Sequence, residues 1–296
     1  MGRRFLSLAA AYSVVAALNQ TPAPDATRVL ADMRQALGGD AALNAVQAFS
    51  VDGVETRTMA DHTASANVEF ACALPDRCIK VRRIATPFGG DTVETYGFNG
   101  DAHIRRRASS IPYPPDPFAS ETPDQKADRA RRAALASRHE FARLAIPMLG
   151  VPAVDPVDVA VIGQETLDGK PMDVLRLQAA DGYEARLYVD AASHLPAMIS
   201  WMGLREIVFT TSSMEVVQRG QVVGSSPQAP FPTGDPTAGV AKVERRVYYS
   251  DYRRQNAINW PRGMKEVVDG RVVLDTSLNK PKINPKIDEK RFDPSR

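Results

Sequence analysis

The side chains that most often carry catalysis are scattered along this sequence, and they form no established catalytic spacing. The chain has no G-x-S-x-G elbow, no G-x-x-x-x-G-K-[ST] loop, no G-x-G-x-x-G behind a strand and no H-E-x-x-H pair. Its four histidines are His62, His103, His139 and His194. We interpret these as residues of a turn, a strand, a solvated helix surface and a hairpin connection. The sequence therefore predicts no catalytic residue, no metal ligand and no cofactor.

Four glutamates on predicted strands are the remaining candidates for acid–base chemistry. They are Glu165, Glu184, Glu206 and Glu215. A glycosidase needs two carboxyl groups about 5–9.5 Å apart across a sugar-binding cleft, and sequence spacing does not pair these four. Tryptophans that normally line such a cleft are limited to Trp201 and Trp260. An uncharacterised hydrolase is therefore kept as the last of three alternatives.

The two cysteines, Cys72 and Cys78, stand on either side of a predicted tight turn. Apolar residues flank both, and Pro75-Asp76 between them is typical of a turn. Facing positions of a hairpin lie about 4.5–5.5 Å apart, which a disulfide tolerates. We predict a disulfide in an oxidising compartment. Two buried free thiols are the alternative, and a metal site is disfavoured because no histidine or further cysteine lies nearby.

Basic residues cluster in two places, at Arg105-Arg106-Arg107 and along a predicted helix. The helical members are Lys126, Arg129, Arg131, Arg132, Arg138 and Arg143. Both clusters could meet an anionic headgroup or a partner. The interleaved Asp124, Asp128 and Glu140 favour instead a solvated, charge-balanced face.

Residues 1–23 have the layout of a secretory signal peptide. Arg3 and Arg4 precede an apolar run from Phe5 to Leu18, which is shorter than the ~20 residues of a membrane-spanning helix. We predict removal of this segment and a periplasmic or secreted protein without an integral membrane segment; an N-terminal helix folded onto the domain is the alternative. The segment holds two of the 37 basic residues and none of the 35 acidic ones. The remaining chain is then electrically neutral, which predicts no attraction to nucleic acid.

The elements that must position any site are mainly strands. Period-two segments begin at Phe49 and recur to residue 278, separated by turn pairs such as Asn99-Gly100, Asp168-Gly169 and Asp269-Gly270. They predict a mostly β chain: a large curled antiparallel sheet, or open half-barrel, of about a dozen strands covered by a few helices. We expect one domain over 24–296.

Three helices and two loops interrupt these strands. Helical spacing predicts a helix over 26–37, a second one capped by Asp40, and a long helix over 124–148 ended by Pro147 and Gly150. Proline-rich residues 109–123 predict a loop, and the glycine, proline and serine of 224–239 predict a mobile loop.

Several segments of the chain resemble those of one protein family. They are Tyr248-Tyr-Ser-Asp-Tyr-Arg253, Ile258-Asn-Trp-Pro-Arg-Gly-Met264, Val267-Val-Asp-Gly-Arg-Val272, the ending from Pro281 to Asp293, Met33 to Val46, and Tyr183 to Asp190 with His194-Leu-Pro196. Together they resemble the bacterial lipoprotein carrier and outer-membrane lipoprotein-sorting (LolA/LolB-like) superfamily. The resemblance implies an open β-barrel whose concave face is covered by helices and holds acyl chains. It transfers no individual binding residue.

These observations favour a periplasmic or envelope binding protein for a lipid, an acyl chain or a lipoprotein, without catalysis. An amphiphile is expected on the concave face beneath the helix 124–148, against the apolar side of strands such as Leu175 and Leu177. The alternative from another class is an envelope scaffold that holds a protein partner. In that case large residues such as Tyr188, Trp201 and Phe209 fill the space themselves.

Overall fold

The computed structural model describes residues 25–58, 62–85, 90–109, 120–150, 157–204 and 241–295, together with the backbone of two short strands at 216–218 and 221–223. The predicted signal peptide, the loop at 224–239 and most of the proline-rich loop lie outside the described residues.

The described part of the chain contains three α-helices: α1 (Ala26–Leu37), α2 (Asp40–Asn44) and α3 (Pro123–Leu149). The predicted helices are confirmed, with small differences at their ends. The prediction that Asp40 caps α2 is wrong, because the N-cap is Gly39. Asp40 is the first helical residue, and its carboxylate pairs with Arg34. The helix α3 begins with a capping box between Thr122 and Gln125, which satisfies N–H groups that the first turn leaves open.

The predicted helix 124–148 is confirmed to within one residue at each end, and α3 continues through Pro147 to Leu149, so Pro147 does not stop it. A proline in a helix removes the N–H that would bond the carbonyl four residues earlier. Here that carbonyl belongs to Arg143, and it accepts a hydrogen bond from the Tyr249 hydroxyl at 2.7 Å. The sheet therefore supplies the donor that the proline removes. Gly150 then caps the helix, as predicted.

Seventeen strands are assigned in the described chain. They are β1 (Ala48–Thr58), β2 (Thr63–Ala73), β3 (Arg77–Ala85), β4 (Asp91–Asn99), β5 (Ala102–Ser109), β6 (Val157–Leu167), β7 (Lys170–Ala179), β8 (Glu184–Asp190), β9 (Pro196–Leu204), β10 (Val216–Gln218), β11 (Gln221–Val223), β12 (Lys242–Ser250), β13 (Arg253–Gln255), β14 (Ile258–Trp260), β15 (Gly263–Val268), β16 (Arg271–Leu278) and β17 (Lys282–Ile283). A single 3₁₀ turn, Glu289–Phe292, follows them.

One antiparallel sheet of thirteen strands dominates the fold. Its order is β5-β4-β3-β2-β1-β16-β15-β12-β9-β8-β7-β6, with β17 added beside β1. Because β5 and β6 are both edges, the sheet is curled but not closed, which confirms the predicted open half-barrel. The predicted turn pair Asp168-Gly169 joins β6 to β7 with φ of 50° and 78°, the left-handed values that a two-residue type I′ hairpin needs.

The helix α3 lies in the connection between the two edge strands. It packs on β4 and β5 near one edge of the sheet, and α1 packs on β6 at the other. We call the helix-covered side the inner face and the opposite side the outer face. The main hydrophobic core lies on the inner face, where Phe49, Leu175 and Leu177 are fully buried against the helices.

The outer face is also partly apolar, which the sequence analysis did not predict. Val174 and Tyr188 are direct cross-strand partners, and they form a separate buried cluster with Met172 and Met198. Since successive strand residues point to opposite faces, this cluster lies opposite Leu175. Tyr188 therefore does not fill the space beneath α3.

Cys72 and Cys78 occupy facing positions of β2 and β3 with their Cα atoms 4.0 Å apart, and the structure joins them in a disulfide, as predicted. The bond closes a loop with a sequence separation of only 6. In the chain-entropy account so short a loop contributes about 2 kcal/mol to stability. The bond pins the β2–β3 hairpin, which carries Phe70 and Lys80 into the region beneath α3.

Candidate functional site

A cavity of about 430 Å³ lies between α3 and the inner face of the sheet. Its walls come from α3 and from strands on both sides of the centre of the sheet, β1–β3 and β9, β12, β15 and β16. The lining residues are Arg57, Phe70, Lys80, Ala136, Glu140, Arg143, Leu144, Trp201, Gly203, Leu204, Arg245, Val247, Tyr249, Met264, Glu266, Leu274 and Thr276. The volume lies within the range typical of small-molecule sites.

Part of the cavity lining is apolar. Phe70, Leu144 and Tyr249 are buried, and Val247 and Met264 are half-buried. Burial raises the pKa of Tyr249 well above its ordinary value. Its hydroxyl therefore stays protonated and donates to the α3 backbone. Exposed residues also line the cavity, namely Ala136 and Glu140 of α3 and Leu204 of β9. The lining therefore includes both buried and solvent-exposed side chains.

Charged side chains also line the cavity, and most are paired. The Lys80 ammonium lies 3.3 Å from the Glu140 carboxylate, and the Arg245 guanidinium lies 2.7 Å from Glu266. Desolvation lowers the pKa of Lys80, but the carboxylates of Glu140 and Glu55 outweigh this and leave the pKa raised. Both carboxylates that line the cavity are therefore held by cations.

Arg143 differs from these paired cations. Its guanidinium stacks on the Trp201 ring with 4.0 Å between the guanidinium carbon and the ring centroid. Its Nε atom is buried without a hydrogen-bond partner, and no described carboxylate forms an ion pair with it. Desolvation is the main cause that lowers the pKa of Arg143, although an arginine stays protonated in proteins.

A buried ion network continues from the cavity across the inner face. The Glu55 carboxylate on β1, only 1% exposed, lies 2.8 Å from Lys80 and 3.0 Å from Arg82. Arg82 also contacts Glu94 at 3.0 Å, and Glu94 accepts a hydrogen bond from Tyr96 at 2.5 Å. Burial alone raises the pKa of Glu55, but Lys80 and Arg82 reverse this and leave the pKa lowered. Burial and the bond to Glu94 raise the pKa of Tyr96 to about 12.

The sequence analysis singled out other carboxylates. Glu165 and Glu184 lie exposed on β6 and β8, on either side of β7, and Glu206 and Glu215 lie outside the described residues. Glu55, Glu94 and Glu266 were missed. Their signal in the sequence is an acidic residue on the same strand face as buried apolar residues, such as Val51 and Glu55 on β1.

Of the four histidines, His139 is placed differently from the prediction. It was expected to be solvated, but its side chain is only 19% exposed and its Nε2 lies 3.1 Å from Asp181 in the β7–β8 turn. Desolvation lowers its pKa despite this carboxylate. His194 lies in the β8–β9 connection, as predicted. His103 is half-buried on β5, where desolvation lowers its pKa. None of the four lines the cavity.

The basic residues of α3 have different surroundings. Arg131 and Arg132 are exposed and pair with Asp128 on the same helix, which confirms a solvated, charge-balanced face there. Arg143, two turns from the end of α3, points instead into the cavity.

The described residues contain no cluster of three or more histidine, cysteine, aspartate or glutamate side chains that could hold a metal ion. Among the helices of the described chain, none combines the length and the hydropathy that crossing a membrane requires.

Known proteins offer limited comparison. No family model and no curated protein matches the chain. Solved structures that it is similar to include a LolA superfamily protein from Nitrosomonas europaea, with 12% identity over 92% of this chain and 98% of that chain and a TM-score of 0.44. A DUF1329 family protein from Desulfovibrio piger has 10% identity over 92% and 99% of the two chains and a TM-score of 0.47. A domain described as an outer membrane lipoprotein-sorting protein, from Vibrio parahaemolyticus, has 10% identity over 89% and 94% and a TM-score of 0.43.

The first and third of these carry the superfamily names that the sequence resembles. Similarity at these identities and TM-scores carries no conclusion about function, which is therefore inferred from the residues of this chain.

Proposed function

We propose that this chain is an envelope binding protein that holds an amphiphile, such as a lipid or an acyl chain, in the cavity between α3 and the inner face of the sheet. The observation that carries the proposal is the cavity itself: about 430 Å³ of space lined by both buried apolar and charged side chains. An amphiphile has the matching arrangement, because its apolar body avoids water and its head group does not.

The energetics of such binding need no catalytic machinery. Burying an acyl chain contributes roughly 0.8 kcal/mol per CH₂ group, so a chain of about 16 carbons brings on the order of 12 kcal/mol. Association costs estimated at about 4–15 kcal/mol offset much of this. We therefore expect a single chain to bind weakly to moderately and a lipid with two chains to bind better.

The scaffold alternative requires the space beneath α3 to be filled by large side chains. Of the three residues named for that role, Tyr188 lies on the outer face, and Phe209 lies outside the described residues. Trp201 forms one wall and leaves the cavity open. The hydrolase alternative requires two facing carboxyl groups with a substrate between them. The two carboxylates that line the cavity are instead each engaged by a cation.

An envelope location is part of the proposal, and it rests on residues 1–23. Removal of this segment predicts that protein recovered from the envelope fraction begins near residue 24. N-terminal sequencing checks this, and a full-length chain in the cytoplasm would contradict it.

The binding proposal predicts saturable binding of a fluorescent fatty acid to delipidated protein, and loss of that binding when the cavity is filled. Val247 is a half-buried wall residue whose side chain faces the cavity. An indole from Val247→Trp enters that space and displaces at least two methylene groups of the ligand. The affinity should fall about tenfold or more, as measured by fluorescence titration.

A matched control is the same substitution on the other face of the sheet. Val54 of β1 is 45% exposed and lies outside the cavity, so Val54→Trp should leave the affinity unchanged. No saturable binding by a wild-type protein with a normal circular dichroism spectrum would reject the binding proposal and leave the scaffold alternative.

A further inference from the structure

Arg143 is a cavity cation that forms no ion pair with a described carboxylate, although the charges of Glu140 and Glu266 act on it from a distance. Four basic and two acidic side chains line the cavity. Lys80 and Arg245 are each satisfied by a carboxylate. The Arg143 guanidinium has neither an ion pair nor a partner for its buried Nε.

An unpaired buried charge is energetically unfavourable, and a protein normally pairs or hydrates it. Two contacts fix the position of Arg143: its backbone carbonyl accepts a hydrogen bond from the Tyr249 hydroxyl, and its guanidinium carbon lies 4.0 Å from the centroid of the Trp201 ring. The ring covers one side of the guanidinium, and the N–H groups of Arg143 donate to no described residue, so they are available for hydrogen bonds to a ligand. The parallel N–H donors of a guanidinium match two oxygens of a carboxylate or a phosphate.

We propose that Arg143 binds the anionic head group of the amphiphile, a carboxylate or a phosphate, and that the protein selects acidic amphiphiles over neutral or cationic ones of the same chain length. This inference rests on the proposed function, because it assigns the head group of the ligand whose chain occupies the same cavity. The apolar lining that includes Phe70 and Leu144 holds the chain, and Arg143 determines which head group is accepted.

The selectivity is tested with four ligands that share one alkyl chain: dodecanoate, dodecyl phosphate, dodecanol and dodecyltrimethylammonium. Each displaces the fluorescent fatty acid from delipidated wild-type protein. A hydrogen-bonded charge pair should make the better of the two anions bind about tenfold to a hundredfold more tightly than dodecanol. The cation should bind more weakly than the alcohol. Comparing the two anions distinguishes a fatty-acid carboxylate from a phosphate head group.

The assignment to Arg143 is tested with Arg143→Gln and Arg143→Lys. The glutamine variant should lose the preference for the anion while it keeps its affinity for dodecanol. The lysine variant keeps the charge without the planar edge and should retain part of the preference. The matched control is Arg132→Gln on the exposed side of the same helix, which should bind all four ligands as the wild type does. Thermal melting of each variant verifies its fold.

The outcomes separate the two proposals. If none of the four ligands binds, the amphiphile site itself is rejected. If dodecanol and the anions bind equally to the wild type, the site stands and the anion selectivity is rejected; this result needs no variant, so it holds even where a variant fails to fold. If the preference persists in folded Arg143→Gln, another cation is responsible and the assignment to Arg143 is wrong.

Discussion

Replacing Glu55 with alanine should lower the free energy of unfolding by about 3–5 kcal/mol, because it leaves two buried cations without their shared counter-ion. Glu55 lies 2.8 Å from Lys80 and 3.0 Å from Arg82, and its side chain is only 1% exposed. The two cations keep partial partners in Glu140 and Glu94. Chemical denaturation of the variant and the wild type measures the difference.

Two further variants test whether the loss of stability comes from the buried ion network around Glu55. Glu165→Ala removes an exposed carboxylate from β6 of the same sheet, and such a surface change should stay within about 0.5 kcal/mol. The double variant Glu55→Leu with Lys80→Met removes a cation together with the anion and should be less destabilised than Glu55→Ala alone. A loss below about 1 kcal/mol in Glu55→Ala would contradict the buried network.

The same residue gives the stability of the protein a defined acid dependence. The folded pKa of Glu55 lies below its ordinary value of 4.5, since Lys80 and Arg82 favour the ionised form. Its contribution is therefore complete above pH 4.5 and is lost as the pH falls through the lowered folded pKa. Glu55→Ala should accordingly show a weaker loss of stability than the wild type over this acid range.

Much of the fold follows from local sequence. The hairpin turns, the disulfide pairing of Cys72 and Cys78 and the long helix α3 are all set by residues close together in the chain, and the structure agrees with each. The hydrogen-bond donor that replaces the missing N–H of Pro147 does not follow from local sequence. It is the Tyr249 hydroxyl, which comes from a strand more than a hundred residues away.

The candidate site is less predictable, for a related reason. A charged residue on a strand is normally assigned to the solvent side, and the sequence alone indicates this for Glu55. Its burial follows only from the pairing of β1, β2 and β3, which brings Lys80 and Arg82 close to it. Arg143 belongs to a helix rich in exposed arginines such as Arg132. Arg143 lines the cavity because the last turns of α3 face the sheet, and because Trp201 of β9 lies where its ring can contact the guanidinium.

Replacing Phe141 with alanine should lower the free energy of unfolding by about 3–5 kcal/mol, since it removes the side chain that anchors α3 to the sheet. The Phe141 ring lies 6.5 Å from Phe49 of β1 and 5.7 Å from Phe98 of β4 between ring centroids, and Phe141 is buried. Truncation loses its apolar contacts and its aromatic pairs and leaves a void between the helix and two strands.

Phe141→Leu and Arg132→Ala are the controls for this anchor. Leucine keeps most of the apolar contact, so Phe141→Leu should be clearly less destabilising than alanine. Arg132 is exposed on the same helix, and its replacement should change stability by less than about 0.5 kcal/mol. Denaturant titration of the three variants gives the comparison. Because Phe141 holds α3 over the cavity without lining the cavity, its contribution measures how firmly the helix is docked. If Phe141→Ala were as stable as Arg132→Ala, α3 would not be packed on the inner face, and the cavity between them would not be a defined ligand site.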